Sequence, residues 1–263
     1  MKKVRLDDLL VIRGLVENLE SARAVIMRGC VFAGELKVVK PGMPVSTEEH
    51  IEVRGIKEFV SRGGVKLKKA LDFFSISPEG KVCIDCGAST GGFTDCLLKN
   101  GARLVYAVDV CYGQLAWSIR NDSRVIAMER TNVRYMTPDM FEIRPKLAVI
   151  DVSFISLALV LPVVRELLTE DGETLCLIKP QFEAEREKVE KKGVVLSAET
   201  HIAVLNEFVK YAGSSGFCIK GLTYSPLKGP EGNIEYLGWL CCRGDNCAVD
   251  VRTVVSDSHA ALR

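Results

Sequence analysis

The stretch Cys83-Ile84-Asp85-Cys86-Gly87-Ala88-Ser89-Thr90-Gly91-Gly92-Phe93-Thr94 decides how the chain reads. Residues 82–84 form an apolar strand-like run, the glycines make a turn, and residues 93–98 fit a helix. A metal site is the first candidate chemistry, because Cys83 and Cys86 have C-x-x-C spacing. Side chains alternate along a strand, however, so positions three apart face opposite sides of the sheet and cannot easily share an ion. Cys241-Cys242 and Cys247 do not provide a second pair with zinc-ribbon spacing. No metal is expected. A phosphate cradle needs G-x-x-x-x-G-K-[ST] or G-x-G-x-x-G, and the glycines at 87, 91 and 92 match neither.

What remains is a strand ending in an acid, Asp85, a glycine turn, a helix, and a second acid, Asp109, ending the next strand. In a doubly wound sheet, loops at the carboxyl ends of strands form the ligand crevice. Asp109 is placed to accept hydrogen bonds from ribose hydroxyls, and the helix N-terminus can receive a carboxylate instead of a phosphate. An amino-acid nucleoside such as S-adenosylmethionine meets these demands. A structural tight turn with core acids at strand ends is the competing interpretation of the loop alone.

Outward from this loop, short apolar runs alternate with helical patterns. Residues 82–84, 104–108, 125–128, 147–150 and 174–178 read as strands, and 93–98, 114–119, 155–168 and 201–212 as helices. Such alternation predicts an α/β, doubly wound, Rossmann-like parallel sheet. No helix fits between the runs at 217–224 and 233–242, which predicts a terminal antiparallel hairpin closing the sheet. Residues 1–54 differ: helical patterns at 6–11 and 21–28 precede turn-rich sequence, indicating a separate small α+β module. The predicted boundaries are a domain at 1–54, a linker at 55–60 and a second domain at 61–263. A basic cluster spans the junction, comprising Arg54, Lys57, Arg62, Lys66, Lys68 and Lys69, opposed only by Glu58. It is dense enough to track a phosphate backbone, although a solvated linker face accounts for it equally well.

The 263 residues carry a net charge of +1, with 48% hydrophobic and 26% charged side chains, so any nucleic-acid surface must be local. The longest mostly apolar run, 154–164, is short of the roughly 18 residues needed to span a bilayer. No membrane association is expected. The first residues lack a signal-peptide core, which predicts a cytoplasmic protein with its ten cysteines reduced. His50, His201 and His259 lack metal-like spacing and read as surface residues.

Four polar positions interrupt the strand and loop patterns: Asp151 after 147–150, Lys179 after 175–178, Glu235 in the late hairpin, and Lys66 after Ser61-Arg62-Gly63-Gly64. Each alone is an ordinary solvated cap. Together beside a cofactor loop they suggest lysines whose proximity leaves one able to act as a base, oriented by carboxylates. The sequence after the fourth strand, Asp151-Val152-Ser153-Phe154, has no proline pair of the kind that holds an exocyclic amine, and no Pro-Cys nucleophile lies near. A hydroxyl acceptor needs only alignment and a base.

Six ordered segments resemble the TlyA family of bacterial ribosomal-RNA ribose 2'-O-methyltransferases, often labelled haemolysins, whose catalytic domain is of the FtsJ type. They are Ser61-Arg62-Gly63-Gly64-Val65-Lys66-Leu67, Gly87 through Thr94, Tyr112-Gly113-Gln114-Leu115-Ala116-Trp117, Asp151-Val152-Ser153-Phe154-Ile155-Ser156-Leu157, Ile178-Lys179-Pro180-Gln181-Phe182-Glu183 and Gly229-Pro230-Glu231-Gly232-Asn233-Ile234-Glu235-Tyr236. The resemblance implies that Lys66, Asp151, Lys179 and Glu235 are the catalytic tetrad. It implies that S-adenosylmethionine is held by Asp85, Gly87, Ala88, Ser89, Thr90, Gly91, Gly92 and Phe93, by Asp109 at the ribose, and by Arg130, Thr131 and Asn132 after Glu129 at the adenine. The N-terminal module is similar to a small αL-type RNA-binding fold. Arg5, Arg13, Arg23, Arg28, Lys40, Arg62, Lys68 and Lys69 are then the RNA-binding candidates, ribosomal RNA or ribosomal subunits the partner, and a monomer the expected state. The alternatives are a non-catalytic RNA-binding ribosome-assembly factor and a membrane-active haemolysin. The sequence departs from the family pattern at Cys86 and Cys111, at Asn18-Leu19 before the second helix, and at Ala184-Glu185-Arg186-Glu187-Lys188 in place of a glycine-rich loop.

Overall fold

The structure, a computed structural model, describes residues 3–55 and 58–262; Lys57 of the basic cluster lies outside them. The chain divides into two compact units, residues 1–58 and 59–263.

The first unit places β1 (Lys3–Arg5), α1 (Leu6–Ile12), α2 (Leu19–Met27), β2 (Val31–Ala33), β3 (Leu36–Val38), β4 (Pro44–Ser46) and β5 (Ile51–Val53) around one small core. Leu6, Leu9 and Leu10 of α1 and Ala22, Val25 and Ile26 of α2 recur at helical spacing and bury one face of each helix against Val31, Val38, Val45 and Ile51. β1 pairs with β4, and β2 sits between β3 and β5, all antiparallel. Asn18 caps α2 by accepting from the Ser21 amide at 2.9 Å.

The second unit begins with Phe59, which is buried, and Val60, whose amide donates to Asp95 Oδ2 at 2.8 Å. These two residues, assigned to the linker from sequence, are therefore part of the second unit. α3 (Arg62–Phe74) follows, then β6 (Val82–Cys86), α4 (Gly92–Lys99), β7 (Leu104–Val108), α5 (Trp117–Arg120), β8 (Val125–Met128), β9 (Leu147–Ile150), α6 (Leu161–Leu167), β10 (Glu173–Ile178), α7 (Pro180–Glu183), α8 (Ala198–Ser214), β11 (Cys218–Tyr224), β12 (Tyr236–Cys241) and α9 (Val251–Ala261). The sheet order is β11-β12-β10-β9-β6-β7-β8. β10, β9, β6, β7 and β8 are parallel to their neighbours, while β12 is antiparallel to both β10 and β11, as the hairpin pattern requires. Alternation along β6 sends Ile84 and Cys86 into one core layer and Cys83 into the other. The C-x-x-C thiols thus lie on opposite faces of the sheet, and all ten cysteines are free thiols.

Two helices are shorter than their sequence patterns. Residues 109–116 run as a loop before α5 because Gly113 adopts φ +77° and the Ala116 amide is used by the Thr90 carbonyl at 3.1 Å. The pattern at 155–168 splits into a 3-10 turn, Leu157–Leu159, and α6, which restarts with Pro162 in its first turn. α3 and α9 go unanticipated; the two glycines that open α3 read as loop, yet Lys66, Leu67, Ala70 and Leu71 behind them bury a continuous face. Among the described residues, no helix is long and apolar enough to cross a membrane.

The strand order reverses between β6 and β9, and the two loops that leave them touch. A Cβ at Gly87, which has φ +90°, would stand 2.5 Å from the Asp151 carbonyl oxygen. Gly87→Ala is accordingly expected to cost about 1–3 kcal/mol of backbone strain, read as a Tm lowered by roughly 2–4 °C per kcal/mol. An unchanged Tm would contradict this account of the junction.

Candidate active site

A cleft of about 1250 Å³ opens at the switch point between β6 and β9, lined by Gly87, Ser89, Asp109, Thr131, Asn132 and Asp151 among others. Asp109 follows β7; its Oδ2 accepts from the Ser89 amide and its Oδ1 from the Cys111 amide, each at 2.7 Å. Each oxygen retains acceptor capacity for a hydroxyl. Gly91, at φ +93°, precedes the first turn of α4, and a side chain there would run into Leu115 and Ile119. Ala88, Thr90, Gly92 and Phe93 line a smaller adjoining pocket. Arg130 lines neither; its guanidinium lies over the Tyr112 ring at 4.5 Å. Cys86 is buried in the core and does not reach the cleft, whereas Cys111 lines it.

Asp85 lies beneath the loop, fully buried. Thr94 Oγ1 donates to its Oδ2 at 2.6 Å, while Oδ1 has no partner. Burial pushes this carboxyl up to about 7 against the pull of the Thr94 hydroxyl, and the charges of Asp151 and Asp109 push the same way.

The smaller pocket, about 560 Å³, holds Lys66, Asp151, Lys179 and Glu235 together. They arrive from four places: the second turn of α3, the ends of β9 and β10, and the residue before β12. Because β12 runs antiparallel to β10, with Tyr236 opposite Ile178, a residue before β12 reaches the same edge as a residue after β10. Lys66 Nζ is ion-paired with Glu235 Oε2, and both side chains are almost fully buried. Lys179 Nζ is 2.6 Å from Asp151 Oδ1 and donates to Ser153 Oγ at 2.9 Å. Each ammonium is thus matched by its own carboxylate. Gly87, Ser89, Asp151, Ser153, Phe154 and Phe182 line both pockets and form the wall between them. Phe154 is 91% exposed at φ +64°, with its ring centroid 5.1 Å from that of Phe182.

The proposed RNA-binding residues are partly engaged within their own units. Arg5 and Arg23 converge on buried Asp7, at 2.7 and 3.2 Å. Arg13 donates to the Glu49 and Thr47 carbonyls at 2.7 Å each, and Arg28 to the Ala24 carbonyl at 3.2 Å. Lys40 is exposed. In the second unit, exposed Arg62 lines the smaller pocket, Lys68 pairs with Asp72, and Lys69 sits 3.7 Å above the Tyr224 ring. Sequence reasoning overlooks Ser153 and the left-handed Phe154, for which only their place directly after Asp151 gives a signal. It also misplaces His201. That residue is fully buried, its Nε2 3.0 Å from the Val195 carbonyl and its Nδ1 2.8 Å from the Tyr236 hydroxyl, and burial pulls its pKa down to about 4.

Residues 59–241 match the model of a family described as FtsJ-like methyltransferase. Over the whole chain, 47% of residues are identical to the Bacillus subtilis protein YqxC, provisionally named an rRNA methyltransferase, with 96% of that protein covered. A Mycobacterium tuberculosis protein named 16S/23S rRNA (cytidine-2'-O)-methyltransferase TlyA is 41% identical over 99% of this chain and 98% of its own length. A solved Streptococcus thermophilus structure, provisionally named a hemolysin, superposes with a TM-score of 0.75 at 42% identity, covering 99% of this chain and 97% of that one.

The raised pKa of Asp85 has a measurable sign. A carboxyl raised from 3.8 to about 7 contributes stability that is complete below pH 3.8 and is lost as pH rises toward 7. Between pH 5 and pH 8 the protein should therefore lose on the order of 2 kcal/mol relative to Asp85→Asn, seen as converging or crossing Tm curves. Parallel curves for the two proteins would show that Asp85 does not titrate there.

Proposed function

Because the chain belongs to the FtsJ-like methyltransferase family, we propose that it transfers a methyl group from S-adenosylmethionine to the ribose 2'-hydroxyl of a cytidine in ribosomal RNA, in the cytoplasm. The observation that carries this function is the gathering of Lys66, Asp151, Lys179 and Glu235 in one pocket that shares a wall with the larger cleft. The cytidine acceptor is the one in the name of the Mycobacterium tuberculosis relative.

S-adenosylmethionine, when bound, supplies an electrophilic methyl group on a sulfonium. The glycine loop fits such a ligand: Gly87 and Ser89 line the larger cleft, and Asp109 keeps acceptor capacity for ribose hydroxyls. The amide end of α4 would take the methionine carboxylate, and Thr131 and Asn132 would line the adenine side. In the smaller pocket Lys179, held by Asp151 and Ser153, orients the 2'-hydroxyl, and once it has given a proton to solvent its neutral amine receives the hydroxyl proton as the oxygen attacks. Lys66 and Asp151 tune the charge around it, and Glu235 neutralises Lys66. Little more is needed, since alignment alone can supply several kcal/mol of the barrier. The first unit would contact ribosomal RNA through exposed cations such as Arg13, Arg28 and Lys40, and Arg62 of the second unit would do so beside the pocket.

Lys179→Ala and Asp151→Ala should each lower methyl transfer by ~10² to 10⁴-fold, while S-adenosylmethionine and RNA still bind in equilibrium titrations. Turnover within a few-fold of wild type in both would sink the tetrad. Substituting 2'-deoxycytidine at the target position should eliminate the product; undiminished incorporation into the deoxy substrate would move the acceptor to the base.

A further inference from the structure

Glu183, the last residue of α7, is a half-buried carboxylate outside the tetrad. Its two oxygens accept from the loop that follows β9: Ser156 Oγ donates to Oε2 at 2.6 Å and the Leu157 amide to Oε1 at 2.8 Å. α7 begins directly after Lys179, and the loop it grips begins with Asp151. Glu183 therefore ties together the two strand-end segments that carry the Lys179–Asp151 ion pair. Between them, Phe154 stands at φ +64° with its ring in solvent. A left-handed backbone at such a residue costs about 1–3 kcal/mol and persists only where its surroundings hold it. The two hydrogen bonds to Glu183, two and three residues further on, are such a restraint.

We propose that Glu183 is a positioning residue: by gripping Ser156 and Leu157 it fixes the 151–155 loop against α7 and so sets Asp151 and Ser153 at their distances from Lys179. The Tyr211 hydroxyl on α8 and the Cys176 thiol on β10 are the other titratable groups that face it. Burial raises the Glu183 carboxyl, opposed by its hydrogen bonds to Leu157 and Ser156. On acidification, protonation turns one acceptor oxygen into a donor and loosens the grip. The same protonation relieves the burial penalty, so stability from this group rises as pH falls while turnover drops. A merely structural carboxylate would not separate the two.

Glu183's kinetic role rests on the methyl-transfer function proposed above, so the test pairs a kinetic with a non-kinetic measurement. In Glu183→Gln, one oxygen still accepts but the amide nitrogen faces a donor. Expected are a kcat lower by about 10- to 100-fold, an RNA KM and S-adenosylmethionine affinity within a few-fold of wild type, an unchanged or higher Tm, and loss of the acid limb of the kcat profile. Ser156→Ala, which leaves the Leu157 bond, should fall between. Independently, the titration of Lys179 in lysine-selective ¹³C NMR, assigned through its absence in Lys179→Arg, should move in Glu183→Gln. Unchanged kcat with an unmoved Lys179 titration overturns the proposal. So does a kcat loss that tracks Tm while the acid limb and the Lys179 titration stay as in wild type. If the wild-type protein transfers no methyl group, the function proposed above fails, and the Lys179 titration alone decides for or against Glu183.

Discussion

The Asp151 amide donates to the Cys86 carbonyl at 2.9 Å, and the Asp151 carbonyl occupies the space where a side chain on residue 87 would begin. This contact of main chain on main chain is the constraint from which the site follows. It is available only at the reversal of strand order, where β6 and β9 are neighbours and their outgoing loops diverge. With no Cβ at 87, the turn that shapes the larger cleft and the carboxylate that lines the smaller pocket belong to one surface. Gly87 and Asp151 consequently line both cavities.

The tetrad is costly for a fold to keep. Removing a carboxylate or an ammonium from water costs several kcal/mol per ion, and pairing recovers this only with good geometry. Lys66 and Glu235 are nearly sealed, and Lys179 and Asp151 are only slightly more open. Apolar side chains of similar volume would stabilise the same positions at least as well. Retention of two buried ion pairs on one wall is therefore better explained by chemistry than by stability. Asp85 follows the same logic one layer deeper, with one oxygen committed to Thr94 and the other without a partner among the described residues.

Much of the sheet was legible because its signals are local. The strands at 104–108, 125–128 and 147–150 are uninterrupted apolar runs between turn residues, and the first and last of them are buried on both faces. The opposite orientation of Cys83 and Cys86 followed from strand geometry alone. The four polar residues of the smaller pocket were visible because each breaks an apolar pattern. Their pairing was not, since Lys66 meets a residue 169 positions away. Helix α3 hid behind Gly63-Gly64, whose close approach to Phe93 and Phe59 is a tertiary requirement that no local window contains. His201 escaped for a similar reason, as its partners Val195, Tyr236 and His259 assemble only when α8, β12 and α9 meet.

The antiparallel course of β12 has a temporal side. A protein is synthesised from its N-terminus, and every strand of the parallel set, together with Asp151 and Lys179, precedes residue 180. A growing chain can thus complete the glycine turn and one ion pair while Lys66 still has no counter-charge, because Glu235 immediately precedes the last strand laid down. A nascent or C-terminally cut chain that lacks Glu235 carries three of the four charged groups of the smaller pocket but only one of its two ion pairs.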